Sequence, residues 1–151
     1  MRGEGEDAIT AADIEASAAA GGDAALDRVV DTAMSGRVKE ADASWMRARS
    51  GGASGVGLVR TIQRRIDLLS ELKSGGPEAA MRLGAPRFGP AADTFKQQAT
   101  LWHDRALDQA RQAAFEAERQ MKRAGAAPAE LLGGDLLLKL ALRAEAMSSR
   151  R

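Results

Sequence analysis

The side chains that most often carry catalysis are scarce in this sequence. It contains one histidine, His103, and no cysteine. A histidine pair, a thiol nucleophile and a cysteine-ligated zinc or iron–sulfur centre are therefore excluded within one chain. His103 follows Trp102 at the junction of two predicted helices, where we interpret it as a surface or helix-capping side chain. We predict no catalytic residues, no metal ligands and no cofactor.

Two other stretches contain some of the residue types of a known ligand-binding motif, but each lacks the rest of that motif. Glu116 and Glu118 lie on a predicted helix, but the Glu-x-x-His pair of a di-metal bundle site does not accompany them. Residues 51–57 read Gly-Gly-Ala-Ser-Gly-Val-Gly, without the Lys-Ser/Thr pair or the preceding strand of a phosphate-binding loop. We interpret this stretch as a flexible connector in which Ser54 caps the next helix.

Basic residues on one predicted helix raise the question of DNA binding. Arg60, Arg64 and Arg65 could contact phosphates, but their helix also has a wide apolar face that is typical of a core helix. A recognition helix is usually short and exposed, with base-reading side chains. The formal net charge of +1 is too small by itself to indicate nucleic acid or a membrane. Direct DNA contact is not expected, although a free-standing α-helical DNA-binding or regulatory module remains the alternative function.

The elements that hold these residues are predicted to be helices. Aromatic residues make up 3% of the 151 residues, whereas Ala and Gly abound, and this composition favours helices over strands. No apolar run approaches the roughly 20 residues of a membrane span. Residues 1–7 are acidic and lack the apolar region of a secretory signal. We expect an all-α, cytoplasmic protein that does not associate with membranes.

Gly and Pro divide the chain into a predicted bundle of about seven or eight helices. Their ranges are 10–20, 23–35, 38–50, 56–74, 77–83, 93–102, 104–124 and 128–147. The clearest amphipathic spacing is that of Leu58, Val59, Ile62, Ile66, Leu69 and Leu72. Residues 84–90 contain two Pro and two Gly, which forbid a regular helix there.

Charge is distributed unevenly between these predicted helices. Residues 1–42 carry ten acidic and four basic side chains, so the remainder of the chain is basic. The two parts could be electrostatic halves of an assembly surface, or both could be solvated helix faces. Trp45 and Trp102 are interpreted as core anchors, and either could also anchor an interface.

Four ordered stretches resemble the C-terminal region of the delta subunit of bacterial DNA polymerase III, the clamp-loader subunit that opens the sliding clamp. Residues 8–16 are similar to the Ile-Thr-x-x-Asp-Val helix that closes the second domain of that family. Residues 24–36 are similar to its Leu-Val-Asp-Ala-Leu-x-x-Gly helix. Residues 58–69 resemble Leu-Leu-Arg-x-Leu-Gln-Arg-x-Leu-x-x-Leu, the family's most telling run.

The fourth stretch, residues 86–140, resembles the family in four places. Pro86 and Phe88 match a Pro-Pro-x-Phe loop, and Trp102 and Leu107 match a Leu-x-x-Trp junction followed by Leu. Glu118, Lys122 and Gly125 match a helix end with Asp/Glu, Lys and Gly, and Leu137, Leu138 and Leu140 match a leucine-rich helix. The Ala- and Arg-rich composition is similar to alphaproteobacterial members. Residues 51–57 depart from the family, whose connector there is acidic or contains Pro.

The resemblance implies a division of the chain and a role. Residues 1–21 would be the tail of a preceding helical domain, and residues 22–151 a helical collar domain, the third domain of such subunits. Collar domains of the delta, gamma/tau and delta-prime subunits pack into a ring that holds the clamp loader together during sliding-clamp loading in DNA replication. The clamp itself contacts the first domain of the family, which this chain lacks.

The resemblance also implies what the chain does not do. It would neither bind ATP nor open a clamp, although the parent holoenzyme is a DNA-directed DNA polymerase, a nucleotidyltransferase. Arg60, Arg64 and Trp102 are candidate interface residues because they occupy matching motif positions, and a core or solvated position is the alternative for each. Separation from a ring leaves interface surface exposed, which would allow the isolated chain to form a homodimer.

Overall fold

The computed structural model of the chain describes residues 11–123 and 125–150, with the backbone alone for residues 11–21. Within these residues there are six helices and no strand, which confirms the all-α prediction. In chain order they are α1 (Ala11–Met34), α2 (Val38–Ser50), α3 (Gly55–Arg82), α4 (Gly89–Leu101), α5 (Asp104–Met121) and α6 (Ala129–Ser149). No helix in these described ranges is both long and apolar enough to cross a membrane.

Within the described residues there are six helices rather than the predicted seven or eight, because one predicted break is absent and two predicted helices are joined across a kink. Helix α1 continues through residues 21 and 22, so the predicted boundary between residues 1–21 and 22–151 falls inside a continuous helix. Glycine permits the backbone that ends a helix but does not force it. In α3, Gly76 leaves the helical region (φ 84°, ψ 178°) and Pro77 follows, so this helix is kinked at the predicted position.

Helix α4 begins earlier than predicted. It starts at Gly89 rather than at Asp93, although Gly89 itself has φ +76°, so the predicted irregular segment 84–90 runs into the first turn of this helix. Pro90 lies in the first turn, where a missing backbone N–H removes no helical hydrogen bond. Proline therefore begins this helix instead of preventing it.

The core lies where α6 crosses the other helices. Helix α6 packs against all five of them. The predicted apolar face of α3 is confirmed, since its side chains Leu58, Val59, Ile62, Ile66 and Leu69 are buried. Each large apolar side chain that is fully removed from water contributes about 1.5–3 kcal/mol. Trp45 and Trp102 are buried as well, which confirms their interpretation as core anchors.

Glycine allows α6 to approach its neighbours closely. A Cβ on Gly133 would lie 3.1 Å from the backbone oxygen of Gly55, where α3 and α6 begin side by side. At the other end of α6, Gly36 has φ +85° in the turn between α1 and α2. A Cβ there would meet the backbone of Glu145 at 2.9 Å. Near both of its ends, α6 therefore lies close to the backbone of another part of the chain.

Candidate interaction surface and the polar contacts behind it

The one histidine caps a helix. Its Nδ1 accepts a hydrogen bond from the backbone N–H of Ala106 at 3.2 Å, and His103 is the N-cap residue of α5. This agrees with the capping role expected from the sequence. Across the part of the chain that the structure describes, no group of three or more His, Asp or Glu side chains could hold a metal ion.

Trp102, predicted as a candidate interface residue, lies in the core. Its side chain is fully buried, and its indole N–H donates to the backbone oxygen of Met34 at 2.8 Å. That carbonyl belongs to the last residue of α1, where helical partners are missing. Because Trp102 presents no surface to solvent, it joins α1 to α4 within the chain and is not available to a partner.

A polar network lies beside Trp102 and joins α1, α3 and α4. Arg65 donates to the carboxylate of Asp31 and, at 3.0 Å, to Oε1 of Gln98. The amide of Gln98 donates to the backbone oxygen of Asp31 at 3.3 Å and to Oγ of Ser35 at 3.1 Å. Gln98 is 1% exposed, so its hydrogen-bonding groups depend on these partners. The network is a structural one, because every member is engaged by another.

The three arginines that could have contacted DNA together differ in exposure and in their contacts. Arg65 belongs to the polar network, with a side chain only 12% exposed. Arg64 is exposed, and one guanidinium nitrogen lies 3.0 Å from the position of a Cβ on Gly84. Arg60 is exposed on α3. Only Arg60 and Arg64 of this group are therefore accessible to a partner.

Lys73 forms hydrogen bonds with the carboxyl end of α4. Lys73 Nζ donates to the backbone oxygens of Ala99 at 3.1 Å and Trp102 at 2.9 Å, and lies 3.5 Å from the Asp104 carboxylate. A cation at this end of a helix also interacts favourably with the helix dipole. The side chain closes the junction between α4 and α5 from the side of α3. Sequence reasoning did not find this contact, since Lys73 is 26 residues away from Ala99.

Five backbone N–H groups of the glycine-rich connector 51–57 have hydrogen-bond acceptors within the chain. Ser54 caps α3 as predicted, accepting from the N–H of Gly57 at 2.9 Å. The N–H of Gly55 donates to a carboxylate oxygen of Glu130 at 3.1 Å. A negative side chain therefore occupies the end of α3 where a phosphate would have to bind. The arrangement is that of a helix cap and not of a phosphate cradle.

A groove beside this connector, between α1 and α2, has a volume of about 1100 Å³. Three acidic and three basic side chains line it: Asp23, Asp31, Glu40, Arg28, Arg37 and Arg47. Arg37 pairs with Glu40 at 3.4 Å, and Asp31 pairs with Arg65. Because the charges of the lining balance, the groove has no general preference for a ligand of either sign.

Exposed leucines follow the outer face of α6. Leu131 is 53% exposed and Leu142 is 55% exposed, while Leu138 between them is partly exposed. Asp135 and Lys139 lie on the same face and are exposed. We call these five residues the α6 stripe. Leucines as closely spaced as those of this helix cannot all lie on one side of it, so some of them face outward.

Another exposed apolar side chain lies on the loop before α4. Phe88 is 84% exposed at the N-cap position of that helix. It belongs to the partial match with the Pro-Pro-x-Phe loop of the clamp-loader family. It differs from the α6 stripe, which has several apolar positions in helical register on one rigid element.

Comparisons of the chain with protein-family models, with curated proteins and with solved structures find no match.

Proposed function

We propose that this chain is a protein–protein interaction domain without catalysis of its own. The α6 stripe is the observation that supports this most. Helix α6 packs against every other described helix, yet it keeps Leu131 and Leu142 more than half exposed. Apolar side chains grouped on one face of a folded domain are typical of a surface that a partner covers.

More specifically, we propose that this chain is the collar domain of a DNA polymerase III delta subunit. In this role it would act in the cytoplasm and hold a clamp-loader ring together during sliding-clamp loading. This assignment depends on the ordered sequence motifs. The all-α architecture supports it, as does the burial of the motif residues Trp102, Leu107 and Leu137, which a helical collar would need for its own core. The partners would be the gamma/tau and delta-prime subunits.

The alternative, a DNA-binding or regulatory helical module, has less support. Arg65 is committed to Asp31 and Gln98, which removes one of the three cations that could have contacted phosphates. Arg60 and Arg64 remain accessible, and we keep them as candidate contacts for a protein partner.

The test is size-exclusion chromatography with light scattering. The chain is run alone and then mixed with gamma/tau and delta-prime subunits from the same genome, and we expect co-elution as a defined complex. The double variant Arg60→Glu/Arg64→Glu should weaken the complex if those positions contribute. The matched control, Arg105→Glu/Arg123→Glu, reverses two exposed cations on α5 and just after it.

A full-length delta subunit that contains the same region is the decisive comparison. If it joins the complex and the isolated chain does not, the family assignment holds and the collar is not autonomous. If neither joins, the assignment is wrong. Affinity for DNA that falls steeply with added salt would favour the alternative function.

A further inference from the structure

We infer that the α6 stripe binds a second copy of this chain, through an antiparallel, two-fold symmetric contact between the two α6 helices. The inference rests on the proposed role as an interaction domain and names its partner. It does not depend on the clamp-loader assignment.

The five side chains of the stripe form one continuous face. At about 100° per residue, Leu131, Asp135, Leu138, Lys139 and Leu142 fall within an arc of about 100°. The opposite side of the helix carries the buried leucines Leu136, Leu137 and Leu140. The stripe is about 16 Å long from Leu131 to Leu142, at about 1.5 Å per residue.

The apolar ends of the stripe match each other under a two-fold rotation. A two-fold axis that passes beside α6, perpendicular to it and level with the midpoint between Leu131 and Leu142, brings Leu131 of one copy opposite Leu142 of the other. The same rotation forms this contact twice, as every isologous interface does. Leucines that are more than half exposed in the single chain would be covered at both ends of the contact.

The charges of the stripe match under the same rotation. Asp135 of one copy comes within one residue of Lys139 of the second copy, an offset of about 1.5 Å along the helix. Neither side chain takes part in an ion pair within the described residues. In a parallel pair, by contrast, Asp135 would face Asp135 and Lys139 would face Lys139. Charge thus selects the antiparallel arrangement.

This self-complementarity points to a second copy rather than to an unrelated protein. A surface that binds a different partner needs no internal symmetry, whereas rotation of the α6 stripe onto itself places leucine opposite leucine at both ends and brings Asp135 within one residue of Lys139. The short length of the stripe implies a small interface, and small interfaces give weak association that depends on concentration.

Sedimentation equilibrium over a range of concentrations up to about 1 mM, where even weak interfaces associate, tests the inference. We expect a reversible monomer–dimer equilibrium without higher species. Leu142→Glu should weaken the dimer by about a hundredfold, because it places two carboxylates against leucine. The matched control is Leu83→Glu, at a leucine that is 54% exposed at the end of α3. It should leave the dimer unchanged, and circular dichroism shows that both variants fold.

A charge exchange tests the orientation. Asp135→Lys and Lys139→Asp should each weaken the homodimer by about tenfold. The two variants mixed together should associate again, because each supplies the charge that the other lacks. The double variant Asp135→Lys/Lys139→Asp should also dimerise. A merely structural role of these side chains would not produce recovery on mixing.

The inference is overturned if the chain stays monomeric at the highest concentration, if Leu83→Glu dissociates the dimer as strongly as Leu142→Glu, or if mixing the charge variants restores nothing. A monomeric chain that co-elutes with other subunits, and loses them on Leu142→Glu, would contradict the second copy as partner. The proposed interaction function would then stand. A dimer that does not bind those subunits would leave this inference intact, and the full-length delta subunit would then decide the clamp-loader assignment.

Discussion

Gly55 at the start of α3 lies so close to α6 that a Cβ on it would be 2.1 Å from the backbone oxygen of Ala129. No side-chain rotation relieves such a contact, because its partner is backbone. Gly55→Ala should therefore lower the free energy of unfolding by about 3 kcal/mol through overpacking. Urea denaturation measures the change.

The matched control for Gly55 is Gly22, inside α1, where a Cβ would meet nothing within 4 Å. Gly22→Ala should raise the free energy of unfolding by about 0.5–1 kcal/mol, since alanine loses less backbone freedom in a helix. Equal effects of the two substitutions would contradict the close crossing of α3 and α6.

The cap at His103 gives a second prediction. His103→Ala removes the acceptor for the N–H of Ala106 and should cost about 1 kcal/mol of unfolding free energy. His103→Ser should restore that stability, because serine is a preferred N-cap residue. If serine proves as destabilising as alanine, the imidazole contributes by packing and not by capping.

The network around Gln98 gives a third prediction. Gln98→Leu leaves Arg65 and the backbone oxygen of Asp31 without their buried partner, and should cost about 2 kcal/mol. The neighbouring, exposed Gln97→Leu should change stability little. Combined with Arg65→Met, Gln98→Leu should cost less than the sum of the single effects, since both remove the same hydrogen bond. Simple additivity would show that the two side chains act independently.

Lys73 gives a fourth prediction. Lys73→Met keeps the apolar stem but loses the hydrogen bonds to the oxygens of Ala99 and Trp102. We expect a loss of about 1 kcal/mol in thermal or urea unfolding, moderated because solvent reaches part of the site. Lys39→Met, at an exposed lysine on α2, is the control. Hydrogen exchange should also rise at the carboxyl end of α4, and an unchanged rate there would contradict the capping role.

Features that depend only on residues close together in the chain could be predicted from the sequence. The apolar spacing of α3 and the bounds of α2 are as expected, because periodicity and glycine stops act within a few residues. The prediction that glycine ends a helix was wrong at residues 21 and 22, where the backbone stays helical. The predicted break was confirmed at Gly76, where proline follows and the helix is kinked.

The candidate site was harder to predict, because its parts come from distant positions. The carboxylate of Glu130 reaches Gly55 across 75 residues, and Gln98 reaches Asp31 across 67. No local pattern contains such pairs. The α6 stripe was missed for a different reason: leucine spacing shows that a helix has two apolar sides, but only the packed structure shows which side stays open.

The position of α6 in the chain has a consequence for how the protein is made. This helix packs against all five others, yet it follows them in the sequence. A nascent chain that has emerged only as far as residue 128 holds the other five described helices, whose shared apolar surface is still uncovered. The core can close only after residues 129–149 have left the ribosome. Nascent chains stalled before that point should bind holding chaperones and be cleaved readily by proteases.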